Sequence, residues 1–193
     1  MTHLIISIGI LATLVLAAPP ASSEEIPRFA IYRVDLVDNE LAPPLDQRAD
    51  NPHLLNLFVT QEYVLATSVK QNPPVITELD IVDFCWTSQV IKLTPEGARR
   101  WDSMGGYHAP LDGLPLLIEI DGEPRYAAML WNPASSQICK LPVIWCKALD
   151  NRLLIRGLFA TKKGDTLHKE DYDPHVRQVM DDLGKWSVDC ENH

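Results

Sequence analysis

The sequence predicts an α+β fold in which a mainly antiparallel sheet of about six strands carries two helices on one face. Three observations predict it. Short segments rich in β-branched and aromatic residues recur along the chain, a capping residue followed by proline begins a helix at two places, and turn-forming residues separate these segments. No internal repeat, low-complexity tract or linker is found, so the residues from 24 to 193 are predicted to form a single domain.

The N-terminal half is predicted to be mostly β-structure. In segment 29–37, apolar residues alternate with Arg33 and Asp35, which is the period of a half-buried strand. Segment 39–52 is rich in Pro, Asp and Asn and is predicted to be a loop. Segment 54–69 is predicted to be β-structure, most convincingly in VTQEYVLATSV, and the Asn-Pro-Pro sequence that follows ends it.

Two strands and a helix are predicted next. Segments 81–86 and 89–93 contain β-branched or aromatic residues and are predicted to be strands. Thr94-Pro95-Glu96 predicts a helix start, because the Thr hydroxyl can cap free amides, Pro is tolerated in the first turn and Glu suits the positive end of the dipole. The helix is predicted to run to about residue 103, where a Gly-Gly pair stops it.

A hairpin and two further strands are predicted in the second half. Segments 114–120 and 125–131 flank Asp121-Gly122, a residue pair typical of hairpin turns. Segments 143–146 and 153–159 have the apolar, β-branched composition of strands.

A last helix is predicted to begin at Asp173-Pro174, after a polar stretch at 161–171, and to reach about residue 183. Its apolar residues fall on one helical face: Val176, Val179, Met180 and Leu183. Gly184 is typical of the residue that ends a helix.

The N-terminus has the composition of a secretory signal. The first 23 residues contain no Lys, Arg, Asp or Glu, and the thirteen residues from Leu4 to Leu16 are nearly all apolar. A spanning helix needs about 20 apolar residues, so a signal peptide fits better than an anchor. We predict a signal peptide at 1–23, cleaved after Ala17 or Ser23, and a periplasmic or secreted protein without a membrane span; a retained N-terminal anchor is the alternative.

Charge argues against a nucleic-acid partner. The chain has a formal net charge of −9, whereas binding to phosphates requires clustered Lys and Arg. We find no GxSxG, SxxK, HExxH, P-loop or GxGxxG motif, and we predict neither a cofactor nor a metal.

The four cysteines, Cys85, Cys139, Cys146 and Cys190, would form up to two disulfides in an oxidising compartment. Sequence leaves all three connectivities open: Cys139 with Cys146 would make a short local bridge, and Cys85 with Cys190 would tie the tail to an interior strand. The alternative is that some remain free buried thiols.

Four segments resemble a known family when they are taken in order. They are ITELDI, IKLTPEGARRWDSM, LPLLIEIDGEPRYAAML and LLIRGLF, and they lie between residues 76 and 159. Their order resembles the head part of the first periplasmic domain of SecD, an auxiliary subunit of the bacterial Sec translocon, over about residues 76–183. The resemblance implies an α+β head domain in a Gram-negative periplasm, with extended or unfolded polypeptide or another envelope protein as partner.

The chain also departs from that family. SecD acts through a multi-helix membrane part that is not present here. After Gly157 the chain carries an insert, TKKGDTLHKEDYDP, where the family passes quickly to its helix, and the cysteines are not part of the pattern. The resemblance therefore implies a fold and a compartment, and it does not imply a translocation motor.

Residues that could support catalysis are few. Ser135-Ser136 falls in a predicted loop, where turn polarity explains it, and His108 with Asp112 is a weak acid–base pair. Carboxylates and histidines at 165–175 could bind a hard cation, although solvation of an acidic loop explains them more simply: Asp165, His168, Glu170, Asp171, Asp173 and His175.

The tryptophans could line a groove for a peptide or sugar, but core packing is the simpler interpretation: Trp86, Trp101, Trp131, Trp145 and Trp186. Arg99-Arg100 is predicted to be the solvated edge of its helix. A sheet edge offers a further site, since an extended peptide can add to it as a strand.

The leading functional hypothesis is a non-enzymatic exported interaction domain. A small secreted hydrolase or metal-dependent enzyme using the 165–175 loop or His108 is the alternative. A disulfide-stapled inhibitor or structural domain is a third hypothesis.

Overall fold

The computed structural model describes residues 26–36, 60–104, 109–111, 113–135, 139, 141–156 and 173–188. The strands in these residues are β1 (Phe29–Leu36), β2 (Ser68–Lys70), β3 (Ile76–Thr77), β4 (Ile81–Cys85), β5 (Val90–Leu93), β6 (Leu114–Ile120), β7 (Glu123–Trp131), β8 (Val143–Trp145), β9 (Arg152–Arg156) and β10 (Trp186–Ser187). The helices are α1 (Gln61–Thr67), α2 (Pro95–Asp102) and α3 (Pro174–Asp182), and a 3₁₀ turn, Glu78–Asp80, precedes β4.

The ten strands of the described residues form one mixed sheet. Its order is β10-β4-β5-β9-β8-β7-β6-β1-β2, and β3 also pairs with β1. The β7–β8 and β4–β10 pairs are parallel, and the remaining pairs are antiparallel. The prediction of a six-stranded sheet with two helices is therefore wrong. The additional strands β3 and β10 have only two residues each, too few to show a period of two in the sequence. The three-residue β2 overlaps the end of segment 54–69, which was predicted to be β-structure.

Helices cover both faces of the sheet, not one as predicted. One core combines α2 and α3 with β-strand residues, and it includes Trp101, Val179 and the fully buried Ile91. A second core lies on the opposite face, where Tyr63 and Val64 of α1 pack with residues of β1, β6 and β7.

Helix α1 replaces the strand predicted at the end of segment 54–69. The Thr60 hydroxyl accepts a hydrogen bond from the Tyr63 amide, so it caps the helix. Tyr63, Val64 and Thr67 are the buried residues, a spacing that fits a helical face. The cap and the packing against the sheet outweigh the β propensity of Tyr, Val and Thr.

The two helices predicted from cap-and-proline sequences are confirmed. The Thr94 hydroxyl accepts from the Gly97 amide at the start of α2. The Asp173 carboxylate accepts from the His175 and Val176 amides at the start of α3.

The hairpin predicted at Asp121-Gly122 is also confirmed. Both residues have positive φ, 50° for Asp121 and 80° for Gly122, as the favoured two-residue hairpin turn requires. β6 and β7 pair antiparallel on either side of this turn. No helix among the described residues is long and apolar enough to cross a membrane.

Candidate interaction surface

One half of the sheet presents an open face opposite α2 and α3. In β5 and β9, Ile91 and Leu153 are opposite each other in the sheet, and both are fully buried in the core that contains these helices. Val90 and Leu154, the next residues on each strand, are also opposite each other, and they point away from that core. Leu154 is 39% exposed and Val90 is half-buried.

These two residues belong to a row of apolar side chains that crosses five strands. Cys85 of β4 lies beside Val90, and Trp131 of β7 lies beside Trp145 of β8. β8 and β9 are antiparallel, and Ile144 pairs with Ile155. The next residue of β8, Trp145, therefore lies beside the preceding residue of β9, Leu154. We call this set the apolar row: Cys85, Val90, Leu154, Trp145 and Trp131. Trp131 and Cys85 at its ends are buried, and the open part lies between them.

A charged row runs beside the apolar row on the same face. Lys92 of β5 lies opposite Arg152 of β9, and Asp83 of β4 lies on the other side of Lys92. Lys92 and Arg152 are each two residues along their strands from Val90 and Leu154, which corresponds to about 6.6 Å. Neither cation forms an ion pair with a residue that the structure describes. We call Lys92 and Arg152 the cation pair.

The sheet edges give a strand-adding peptide little backbone to pair with. At one edge, β10 has two residues, and the amides of Phe84, Trp86 and Thr87 already donate to carbonyls of residues 185, 187 and 188. At the other edge, β2 and β3 have three and two residues and both pair with β1. The open face is therefore the larger surface on which an extended chain could lie.

The tryptophans mostly pack in the interior, as predicted. Trp86, Trp101 and Trp131 are buried, and the Trp101 indole donates a hydrogen bond of 3.0 Å to the Trp145 carbonyl. Half-buried Trp186 stacks on Trp86 with ring centroids 5.9 Å apart. Trp145 is the one whose half-buried side chain contributes to the open face.

No disulfide joins two of the described cysteines. Cys139 and Cys146 are free thiols, so the local bridge is not formed. Burial raises the pKa of both thiols, which lowers their reactivity. Cys85 is disulfide-bonded, and Cys190, one of the partners that the sequence leaves open for it, lies outside the described residues.

Much of the candidate catalytic and metal set also lies outside the described residues: His108, Asp112, Ser136, Asp165, His168, Glu170 and Asp171. Within the described part, the Ser135 amide donates to the Asn132 carbonyl in a turn. Asp173 caps α3, and the His175 Nε2 atom lies 3.5 Å from the Asp121 Oδ2 atom. The described ranges contain no group of three or more His, Cys, Asp or Glu residues that could hold a metal ion.

Two buried carboxylates that the sequence analysis does not predict, Asp80 and Glu119, form ion pairs. Asp80 accepts from the Arg100 guanidinium and from the Thr77 amide at 2.9 Å. Glu119 accepts from the Lys70 ammonium at 2.7 Å. The signal for Asp80 is Thr77 three residues before it, which forms a capping box. Arg99 and Arg100 are both exposed, as predicted for the solvated edge of the helix, and Arg100 also pairs with the buried Asp80.

No family model, curated protein or solved structure matches the chain. The resemblance to the SecD head therefore stays a prediction that rests on the four ordered segments.

Proposed function

We propose that this chain is a non-enzymatic exported interaction domain that binds an extended segment of another polypeptide across its open sheet face. The observation that carries the proposal is the apolar row, with Leu154 39% exposed between half-buried Val90 and Trp145. Apolar side chains grouped on a solvent-facing sheet are typical of interaction sites. The signal-like N-terminus and the resemblance to the SecD head support a periplasmic location and an envelope or unfolded polypeptide as partner.

The geometry favours an extended segment over a compact ligand. The face is a sheet surface whose side chains repeat every two residues along each strand, at about 6.6 Å. An extended polypeptide has the same repeat, so its alternate side chains can contact successive rows. Covering a few half-exposed apolar side chains contributes on the order of 1 kcal/mol each, which suits weak and transient binding.

The test compares two exposed leucines. Leu154 lies on the open face, whereas Leu111, 54% exposed, lies in a turn before β6 and is not part of the apolar row. Wild type, Leu154→Asp and Leu111→Asp would be incubated with an array of 13-residue peptides with alternating apolar residues, and the dissociation constants of bound peptides would be measured by fluorescence anisotropy. Thermal unfolding of each variant establishes that it is folded.

The expected result is saturable binding to wild type that Leu154→Asp weakens at least about tenfold. Leu111→Asp should bind like wild type. Equal binding by all three proteins, or no saturable binding of any peptide to wild type, would contradict the proposal.

A further inference from the structure

We infer that the bound segment is acidic and carries a carboxylate two residues away from an apolar side chain. This inference rests on the proposed function and adds a charge requirement to it. It derives from the cation pair, which lies beside the apolar row on the same face of β5 and β9.

The cation pair places two like charges opposite each other on neighbouring strands. Like charges directly opposite each other on neighbouring strands destabilise a sheet. Lys92 and Arg152 adopt this arrangement in a protein of formal net charge −9. Neither has a carboxylate within ion-pair distance among the described residues. A bound carboxylate would relieve this repulsion.

Asp83 is the carboxylate in the same row, and it lies across β4–β5 from Lys92. Arg152 lies on the next strand, one strand further from Asp83 than Lys92 is. The positive charge of the row therefore increases from β4 towards β9. An acidic side chain is expected to lie nearest Arg152, whose guanidinium offers paired donors to a carboxylate.

The spacing sets the sequence pattern of the partner. The cation pair and the Val90–Leu154 pair are two residues apart on both strands. In an extended segment lying along the strands, residues i and i+2 are separated by the same distance. An acidic residue over the cation pair therefore places residue i+2, or i−2, over the apolar row. This pattern distinguishes the segment from one that is only hydrophobic.

The experiment uses three fluorescent peptides of equal length that share their apolar residues. Each has Leu at i+2, and position i is Glu, Gln or Lys. Binding to wild type, to the double variant Lys92→Gln/Arg152→Gln, and to Arg99→Gln is measured by anisotropy at low and high salt. Arg99 is a matched control, since it is 75% exposed on α2 and pairs with Glu96.

We expect wild type to bind the Glu peptide at least about fivefold more tightly than the Gln peptide and the Lys peptide most weakly. High salt and the double variant should reduce the Glu-to-Gln ratio to about one, whereas Arg99→Gln should leave it unchanged.

Equal binding of the Glu and Gln peptides to wild type would overturn this inference and leave the proposed function standing. Failure of all three peptides to bind would contradict the proposed function itself. Co-sedimentation with lipid vesicles tests the other possible partner, a membrane. If the protein binds phosphatidylglycerol vesicles but not phosphatidylcholine vesicles, and the double variant loses this binding, the cation pair binds a membrane and the peptide inference is overturned.

Discussion

Asp80 and Gly97 pack so closely that a Cβ atom added at Gly97 would lie 2.8 Å from the Cβ of Asp80. The same contact is supported by the backbone, since the Thr94 amide donates to the Asp80 carbonyl at 2.7 Å. The segment ITELDI and the segment in which α2 begins are therefore in direct contact. The φ of Gly97 is not in the positive range that favours glycine. The close approach of Asp80 is therefore what requires a glycine at this position.

Gly97→Ala is predicted to destabilise the protein by about 1–3 kcal/mol. Alanine gains about 1 kcal/mol of helix propensity over glycine, but the methyl group would overlap the Cβ and the carbonyl of Asp80, neither of which is the end of a flexible side chain. Urea denaturation measures the change. Arg99→Ala on the exposed side of α2 should stay within about 0.5 kcal/mol. A Gly97→Ala variant with a higher free energy of unfolding than wild type would contradict the close packing of Gly97 against Asp80.

The Asp80–Arg100 pair is predicted to be coupled. Asp80→Ala should cost about 2–4 kcal/mol, because it removes the acceptor for Arg100 and for Thr77. Arg100→Ala should cost less, about 1–2 kcal/mol, because the Thr77 amide and hydroxyl would still donate to the buried Asp80 carboxylate. A double-mutant cycle by urea denaturation measures the coupling. Additive single costs would show that the two groups do not interact.

How far the sequence predicts this fold depends on how local the signal is. Thr94 and Asp173 lie next to the amides that they cap, so α2 and α3 could be predicted. The short strand β3 exists only because β1 pairs with it, which is a tertiary effect. For α1, the capping threonine at 60 is a local signal for a helix, but the β propensity of the residues after it favours a strand, and packing against the sheet decides between them.

The candidate surface could not be predicted for the same reason. Lys92 and Arg152 lie far apart in the sequence, and only the register of β5 with β9 brings them together. The sequence predicts Leu154 to be a strand residue, but which face of the sheet it occupies depends on the pairing partner and on the helices that cover the other side.

Tyr126 and Asp173 are predicted to connect α3 to the hairpin. The Tyr126 hydroxyl donates to the Asp173 carboxylate. Tyr126→Phe should therefore lower the free energy of unfolding by about 1–2 kcal/mol at pH 7. Tyr63→Phe is the control, because the Tyr63 hydroxyl has no hydrogen bond to the described residues and its loss should cost less. Equal effects of the two substitutions in urea denaturation would contradict this role.

The effect of Tyr126→Phe is predicted to depend on pH. Burial alone raises the pKa of Asp173, but the hydrogen bonds from Tyr126 and from the His175 and Val176 amides outweigh it and hold the pKa below its usual 3.8. A lowered folded pKa gives stability that is present above about pH 4 and lost as the pH falls further. Burial, followed by the hydrogen bond to Asp173, raises the pKa of Tyr126, so its contribution is lost as the pH rises above about 10.

Thermal unfolding of wild type and Tyr126→Phe between pH 2 and 11 measures this dependence. The difference in Tm should be largest near neutral pH and should shrink at both ends of the range. A difference that is constant with pH would indicate that Tyr126 contributes through packing alone.

The oxidised protein is predicted to contain a single disulfide that joins Cys85 to Cys190. Cys139 and Cys146 are free and Cys85 is bonded, so Cys190 is the remaining cysteine of the four. The register agrees, because Ser187 of β10 lies beside Cys85 and Cys190 follows three residues later in the sequence.

Without reduction, iodoacetamide should label two thiols in the unfolded protein, and after reduction it should label four. In the folded protein, fully buried Cys146 should react most slowly, because burial both shields the sulfur and raises its pKa. Peptide mapping that links Cys139 to Cys146, or labelling of Cys85 without reduction, would refute this pairing.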